Sequence, residues 1–435
     1  MITSDYSKTN IVPEEVNDLR AIADVELSNI KLDNYPNLLV FPDSFNSYDR
    51  NLGRKFICNI DNEGNVLYTN SIVGFIGRNN THLSIHSRFV DNGKKDFFLH
   101  YMLQKVSKIN LFNLQHTTDD DSVFDFLLYL FPMFLKKAII QGIFRQYVTH
   151  KYNDANVRGG IDVNRHIRCN NPFNGKIAYT TREYCYDNDL TQLIRHTIEF
   201  ISECKDGVDI LNVDVETQDA VTQIVGVTKR YSHKERQDII NKNLRPVSHP
   251  YYSEYTLLQR LCLQILRHEE LKYGHEDNEI YGVLIDAAWL WEEYLAIVLK
   301  GKFQHYLKER GKRFYLFDNF QQIIPDYLSA DMKIVADAKY IPLNREKLYG
   351  EEKTTAIYYK TITYMYRFCS DLAYLFYPHP DENTNPIAYK IKTEVDGKNG
   401  GKIIKFGLGI PSNCSTYCDF IKKMEENEKL FYDNI

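Results

Sequence analysis

One short segment, residues 323–343, constrains the fold of this chain more than any other. Its sequence, IIPDYLSADMKIVADAKYIPL, places Asp326, Asp337 and Lys339 in an apolar, β-rich setting. In a strand over residues 333–340, alternate side chains lie on opposite faces, so Asp337 and Lys339 share one face. Residues 329–332 have the composition of a tight connection. The segment therefore predicts a hairpin that brings Asp326 beside Asp337.

These three charged side chains suit metal-dependent hydrolysis of a phosphodiester. Hard cations such as Mg²⁺ take carboxylate oxygens as ligands, and Asp326 and Asp337 would supply them. A neighbouring lysine, here Lys339, can orient or deprotonate the attacking water and stabilise transition-state charge. In a chain with 26% charged residues the alternative is an ordinary solvated Asp-x-Lys triplet. The Pro-Asp upstream makes the whole set resemble the PD-(D/E)xK nuclease motif.

Length, hydropathy and charge indicate a multidomain protein without a membrane segment. A chain of 435 residues can bury two or three cores. It has no apolar run of about 18 residues and no signal-like N-terminus, so we expect a cytoplasmic protein. The 8 cysteines are scattered, and the nearest pair, Cys414 and Cys418, lacks the partners of a zinc site, which favours reduced thiols. The net charge of −5 predicts that any DNA contact is local or comes from a partner.

The order of strand and helix patterns predicts an α+β multidomain fold. Short apolar runs separated by turns fill residues 37–89, so we expect a β-rich N-terminal domain over 1–112. A mainly helical middle region over 113–250 should include a helix over 123–147 and another over 189–204.

The remaining residues, 251–435, are predicted to form an α/β domain of the restriction-endonuclease type. Helical spacing indicates helices over 251–271, 280–299 and 354–372, with the strands of the acidic segment between the last two. Either Glu292 or Glu293 would point into the site, and we favour Glu292.

Three other features of the sequence, a turn with two arginines, a pair of histidines and a glycine-rich loop, could belong to a binding site. The sequence VRGGIDVNRHI, residues 157–167, indicates a turn entering an extended segment, where Arg158 and Arg165 are phosphate contacts or ordinary surface arginines. His82 and His86 lie in a strand pattern and are interpreted as strand residues rather than metal ligands. The glycine-rich loop over 392–402 lacks the spacing of a P-loop, so no nucleoside triphosphate is expected on this chain through such a loop.

Beyond this motif, most of the chain resembles the McrC family, the nuclease subunit of McrBC-type, modification-dependent (5-methylcytosine) restriction systems. The resemblance implies that Glu292 is the glutamate of the first nuclease helix and that Asp326 is the first acid of the motif. Asp337 and Lys339 would then be the acid–lysine pair. The segments that carry it are SIVGFIGRNNTHLSIHSRF, GIFRQYV, NVRGGIDVNRHI, REYCYDNDLTQLIRHTIEFI, LWEEYL, IIPDYL, VADAKY and IYYKTITYMYRF.

The chain departs from the family pattern at two positions. The family often has arginine before its Pro-Asp, where this chain has Ile324, and glutamine in the helix after the lysine, where this chain has Lys360. Lys360 is either a phosphate contact or a solvated helix residue.

The resemblance implies a machine of two proteins. The partner would be an McrB-like AAA+ GTPase that forms a hexameric ring, binds the GTP, moves on DNA and is stimulated by the N-terminal domain of this chain. The substrate would be modified double-stranded DNA. Two alternatives remain open, a standalone repair or recombination nuclease of the same core and a non-catalytic regulator of a ring NTPase.

Overall fold

The computed structural model describes residues 1–23, 38–41, 56–79, 81–90, 96–107, 119–204, 207–272, 280–306, 314–318, 320–341, 343, 351–381, 385–392 and 400–435. The chain divides into two compact units, the first built from residues 1–116 together with 276–435 and the second from residues 117–275. None of the helices within these ranges is both long and apolar enough to cross a membrane.

The N-terminal part of the first unit consists mainly of short strands, and the strands predicted between residues 37 and 89 are present. Gly64, with a φ of 79°, lies in the turn between the fourth and fifth strands, where a left-handed conformation favours glycine. The elements are β1 (Ile2–Ser4), β2 (Lys8–Asn10), a 3-10 turn (Pro13–Glu15), α1 (Val16–Ala23), β3 (Leu38–Phe41), β4 (Cys58–Ile60), β5 (Val66–Thr69), β6 (Ile72–Arg78), β7 (Thr81–His86) and α2 (Phe97–Ser107).

The second unit is mainly helical. Its elements are α3 (Asp119–Ile140), β8 (Gln146–Asp154), β9 (Gly160–Ile161), α4 (Val163–Cys169), β10 (Ile177–Cys185), α5 (Asp189–Glu203), α6 (Gly207–Leu211), α7 (Val215–Val227), a 3-10 turn (His233–Glu235), α8 (Arg236–Lys242) and α9 (Glu254–Lys272). Helix α9 packs against α3 and α5, and the strands form a sheet of order β8-β10-β9. Helix α5 confirms the helix predicted over 189–204.

Two predictions for the second unit are wrong in part. The helix predicted over 123–147 ends at Ile140, because Gly142 adopts a φ of 88° after it and the chain then enters β8. The extended segment predicted over 157–167 is cut short by α4. The Asp162 side chain accepts a hydrogen bond from the Arg165 N–H at 3.1 Å and so starts that helix.

The C-terminal part of the first unit alternates strands and helices. Its elements are β11 (Ile280–Asp286), α10 (Ala287–Val298), β12 (Phe303–His305), β13 (Phe314–Phe317), β14 (Phe320–Ile323), β15 (Tyr327–Ser329), β16 (Ile334–Ala338), α11 (Glu351–Phe368), β17 (Leu372–His379), β18 (Ile387–Lys390), β19 (Lys402–Gly409) and α12 (Tyr417–Asp433).

The helix predicted over 280–299 is wrong over residues 280–286, which form the strand β11. This strand lies between β6 and β3 in a five-stranded sheet of order β1-β7-β6-β11-β3. A short, continuous apolar run fits a buried strand as well as a helix, so periodicity alone could not separate them. Gly282 allows the close pairing, since a Cβ there would lie 2.2 Å from the Phe75 carbonyl oxygen. Asp286 then caps α10 by accepting a hydrogen bond from the Ala288 N–H at 2.9 Å.

A six-stranded sheet of order β12-β15-β16-β17-β19-β18 forms the other large layer of the first unit. Its central strands β16, β17 and β19 are parallel. Helix α11 packs on one face, where Val335, Leu375 and Tyr364 belong to one buried apolar cluster. On the other face the ring of Phe431 from α12 stacks on that of Phe406, with 4.6 Å between centroids. The chain is therefore a mixed α/β protein with several sheets.

The compact units cross the predicted domain boundaries. Strand β11 belongs to the N-terminal sheet, which joins residues 276–435 to residues 1–116. Helix α9 lies with the helices of the second unit. The domains predicted over 1–112, 113–250 and 251–435 are defined by their expected functions as well as by packing. They stay predictions.

Candidate active site

The hairpin of β15 and β16 brings the two predicted acidic residues together. Asp326 directly precedes β15, Asp337 lies in β16, and the two strands pair antiparallel. The turn over residues 329–332 closes through its own backbone hydrogen bond of 2.8 Å. At the open end, Oδ2 of Asp326 accepts a hydrogen bond from the Ala338 N–H at 2.8 Å. The predicted hairpin is confirmed, and it holds Asp326 against the end of β16.

Asp337 lies almost fully buried between two lysines. Its side chain is 1% exposed, and its strand pairs with the parallel β17. Lys339 forms a direct ion pair with Oδ2 of Asp337, so the predicted common strand face is confirmed. Lys360 of α11 places Nζ 3.7 Å from Oδ1. Because a buried carboxylate is costly without compensating charge, the two lysines stabilise Asp337 in its ionised form.

The two carboxylates have opposite pKa shifts. Burial, followed by the negative charges of Asp337 and Glu292, raises the pKa of Asp326 well above its ordinary value. Burial also acts to raise the pKa of Asp337, but the charges of Lys339 and Lys360 outweigh it and hold that pKa below its ordinary value. Asp326 therefore keeps its proton to a higher pH than Asp337, as expected when two like charges share one site.

Lys360 lies beside the two aspartates, whereas the sequence alone left it as either a phosphate contact or a solvated helix residue. The negative charge of Asp337 raises the pKa of Lys360 above its ordinary value. Its ammonium also lies 5.4 Å from the centroid of the Tyr364 ring. The Lys360 side chain is 44% exposed, so it contacts the buried acid and solvent at the same time. That position suits contact with an anionic ligand.

Glu292 approaches the acids from α10. Its negative charge contributes, after burial and the charge of Asp337, to the raised pKa of Asp326. Its Oε1 lies 2.8 Å from Nε2 of His305, a residue of β12 whose side chain is 7% exposed. The hydroxyl of Tyr327 donates to the Glu292 carbonyl and anchors the same turn of the helix. Since β12 and β15 pair His305 with Tyr327, both contacts come from neighbouring strand positions.

Sequence reasoning missed His305. It carries no local motif, and only the register of β12 against β15 places it beside Glu292. A buried histidine with one hydrogen bond to a carboxylate fixes the orientation of that carboxylate.

Asp326 and Asp337 form a donor set that fits a hard divalent cation. Within the described residues, Oδ2 of Asp337 is held by the ion pair with Lys339, and the buried Oδ1 has no hydrogen-bond partner of standard geometry. Buried polar atoms are normally satisfied, so Oδ1 has acceptor capacity that a cation could use. Carboxylate oxygens from one or two acids are the ligands that small hard cations take from proteins. The two lysines supply positive charge beside that position.

A direct contact joins the residues after β1 and β7 to the residue that follows Lys339 at the end of the β15–β16 hairpin. Nη1 of Arg88 lies 2.6 Å from Oδ2 of Asp5, and Nη2 donates to the Tyr340 carbonyl at 2.5 Å. The guanidinium also lies 4.4 Å from the centroid of the Tyr340 ring. Tyr340 directly follows Lys339. Contacts with Asp5, which follows β1, and Arg88, which lies after β7, thus hold the backbone next to Lys339.

The other candidate residues have local structural contacts. Nη2 of Arg165 donates to the carbonyls of Tyr152 and Tyr179, at 2.7 Å each, within the second unit. The phosphate contacts suggested for Arg158 and Arg165 stay predictions. His82 shares a hydrogen bond of 2.8 Å with the hydroxyl of Tyr281, which agrees with its interpretation as a strand residue.

Fold and site together define a mixed α/β protein in which a half-buried and a buried aspartate, Asp326 and Asp337, lie beside two lysines. The sequence matches the family described as "McrBC 5-methylcytosine restriction system component" over residues 67–378. That range is more than half of the chain, and the chain belongs to this family. A search of curated proteins gave no significant match.

Two similar solved structures come from Thermococcus gammatolerans. One is a half-complex from a tetradecameric assembly of McrB AAA+ hexamers with bound McrC, with 13% identity, a TM-score of 0.46 and 100% coverage of both chains. The other is a cryo-EM structure of the McrBC complex, with 14% identity, a TM-score of 0.32 and coverage of 73% of this chain and 89% of that chain. Both likenesses are too distant to assign a fold or a partner by themselves.

Proposed function

We propose that this chain is the nuclease subunit of a McrBC-type restriction system, a Mg²⁺-dependent endonuclease of the PD-(D/E)xK type that cleaves foreign double-stranded DNA. The observation that carries the proposal is the meeting of Asp326 and Asp337 with Lys339 and Lys360 at one end of a sheet. Acids that hold a hard cation and lysines that balance phosphate charge are the requirements of phosphodiester hydrolysis.

Asp326 and Asp337 would hold Mg²⁺. When bound, the ion supplies Lewis-acid stabilisation of phosphate charge and lowers the pKa of water. Lys339 Nζ, fixed by Asp337, would orient the attacking water or donate a hydrogen bond to the oxygen that gains charge.

Two further side chains complete the proposed mechanism. Lys360, half in solvent, would contact the phosphate and offset its negative charge. His305 holds Oε1 of Glu292, and the other carboxylate oxygen, Oε2, would accept a proton or orient water.

The proposed partner is an McrB-like AAA+ GTPase ring. Family membership supports this, and one similar structure is described as McrB AAA+ hexamers with bound McrC. GTP would bind to the ring, not to this chain, and recognition of the modified base would belong to the ring as well. The net charge of −5 agrees with a subunit that has no broad affinity for DNA of its own. The complex would work in the cytoplasm.

The experiment that tests this function is co-purification of the chain with the AAA+ protein, followed by cleavage of methylated and unmethylated DNA. We expect cleavage to require Mg²⁺, GTP and both proteins. Cleavage by the isolated chain with Mg²⁺ and no nucleotide would instead identify a standalone nuclease. Stimulation of GTP hydrolysis with no cleavage under any condition would identify a regulator of the ring.

A further inference from the structure

A second group of possible metal ligands lies in the second unit, on the antiparallel ribbon of β8 and β10. His150 of β8 pairs with Thr181 of β10, so the two side chains lie on the same face of the ribbon. Glu183 and Cys185 follow Thr181 at alternate positions, and alternate strand residues share a face. The ribbon therefore presents an imidazole, a carboxylate and a thiol on one surface.

The three side chains converge at their polar ends. Nε2 of His150 lies 3.5 Å from Sγ of Cys185, and one ligand atom from each of the three residues lies within 4.8 Å of the others. Two donors hold the glutamate, because Oε1 of Glu183 accepts hydrogen bonds from Thr181 Oγ1 at 2.7 Å and from the Tyr152 hydroxyl at 3.3 Å. Both bonds go to the same carboxylate oxygen, Oε1.

The chemistry of the three groups selects the kind of ion. We propose that His150, Glu183 and Cys185 form a zinc-binding site that ties β8 to β10. Zn²⁺ takes nitrogen, sulfur and carboxylate ligands at about 2.0–2.3 Å in tetrahedral geometry, so its ligand atoms lie roughly 3.5 Å apart. The separation of 3.5 Å between His150 Nε2 and Cys185 Sγ already meets that spacing. A small rotation of the solvent-exposed Glu183 side chain would bring its carboxylate from within 4.8 Å to the same distance. Water would fill the fourth position.

This site differs in chemistry from the acid pair of the candidate active site. A thiolate and an imidazole favour Zn²⁺ over Mg²⁺, whereas Asp326 and Asp337 offer only oxygen. The two metal sites can therefore be loaded and measured independently, and the zinc site does not depend on the proposed nuclease activity.

Spectroscopic titration of the metal-free, full-length chain with Co²⁺, in excess Mg²⁺, tests the site. We expect one equivalent to bind with a thiolate-to-metal charge-transfer band in the near ultraviolet and the visible bands of tetrahedral Co²⁺, both removed by Zn²⁺. Cys185→Ser should abolish the charge-transfer band and weaken Zn²⁺ binding by ~100-fold or more, since loss of groups that only orient ligands already costs 10–100-fold. Cys169→Ser, at an exposed free cysteine, is the matched control and should change neither.

Thiol alkylation gives a second measurement that does not depend on a variant. One equivalent of Zn²⁺ should slow alkylation of Cys185 at least ~10-fold and leave that of Cys169 unchanged, as a metal-bound thiolate is withheld from the reagent. The proposal is overturned by Co²⁺ spectra without a thiolate band, by unchanged binding in Cys185→Ser, or by equal alkylation of Cys185 with and without Zn²⁺.

Discussion

The carboxylate of Asp326 accepts a hydrogen bond of 2.8 Å from the backbone N–H of Ala338, the residue between Asp337 and Lys339. This bond closes the open end of the β15–β16 hairpin, so the chain itself fixes the first acid relative to the acid–lysine pair. The two acids share one site, and the lysines keep Asp337 ionised while Asp326 retains its proton to higher pH. The candidate site is therefore organised before any cation binds.

Lys360 should contribute to cleavage through its charge. Lys360→Ala removes one of the two ammonium groups beside Asp337 and one proposed phosphate contact. We expect DNA cleavage by the assembled complex to fall ~10–100-fold, within the range seen when one preorganised electrostatic partner is lost. Lys390→Ala, at an exposed strand position, is the control. Equal cleavage rates for the two variants would show that Lys360 is an ordinary solvated helix residue with no part in cleavage.

His305 should act by positioning Glu292. His305→Ala leaves the carboxylate without its 2.8 Å partner, and we expect the cleavage rate to fall ~10-fold with little change in the DNA concentration needed for half-maximal rate. His305→Gln keeps an N–H donor and should recover most of the rate. Thermal unfolding of both variants separates this role from simple loss of packing. A slow Gln variant with normal thermal stability would argue against the positioning role.

Asp5 should make stability fall as pH rises from about 4 to 6. Burial raises its pKa from 3.8 to about 6, and the charge of Arg88 offsets only part of that effect. An acid with a raised pKa binds its proton more tightly when folded, so its stabilising contribution is complete below pH 3.8 and is lost as pH passes 6. At about 1.4 kcal/mol per pH unit, the loss is ~3 kcal/mol.

The check for Asp5 is the unfolding free energy of wild type minus that of Asp5→Asn, measured by denaturant titration at several pH values. We expect this difference to fall as pH rises through that window and to be flat above it. A difference that stays constant from pH 4 to 7 would show that Asp5 has an ordinary pKa in the folded protein.

The core of the site was predictable because its information is local. Asp337 and Lys339 are two positions apart on one strand, and the turn over 329–332 has a composition that specifies a hairpin. Those facts locate three side chains without any tertiary structure. The helix pattern left Glu292 and Glu293 as alternatives with Glu292 favoured, and the resemblance to the family then assigned Glu292 to the site.

The features that sequence reasoning missed depend on pairing between distant segments. His305 reaches Glu292 through the register of β12 with β15, and His150 reaches Cys185 across β8 and β10. The strand β11 was predicted as helix because a short buried apolar run satisfies either periodicity, and its neighbours β3 and β6 lie some two hundred residues away in sequence. Non-local pairing of this kind has no signature in a single sequence.

The most direct test of the central claim is DNA cleavage by the complex of this chain with the proposed AAA+ partner, comparing wild type with Asp337→Ala. Asp433→Asn, at an exposed helix end, is the matched control. We predict that Asp337→Ala reduces cleavage at least ~100-fold in Mg²⁺ while stimulation of GTP hydrolysis by the same preparation stays within twofold of wild type, since the charge change is confined to the acid pair. Cleavage by Asp337→Ala at the wild-type rate would contradict the assignment of this site.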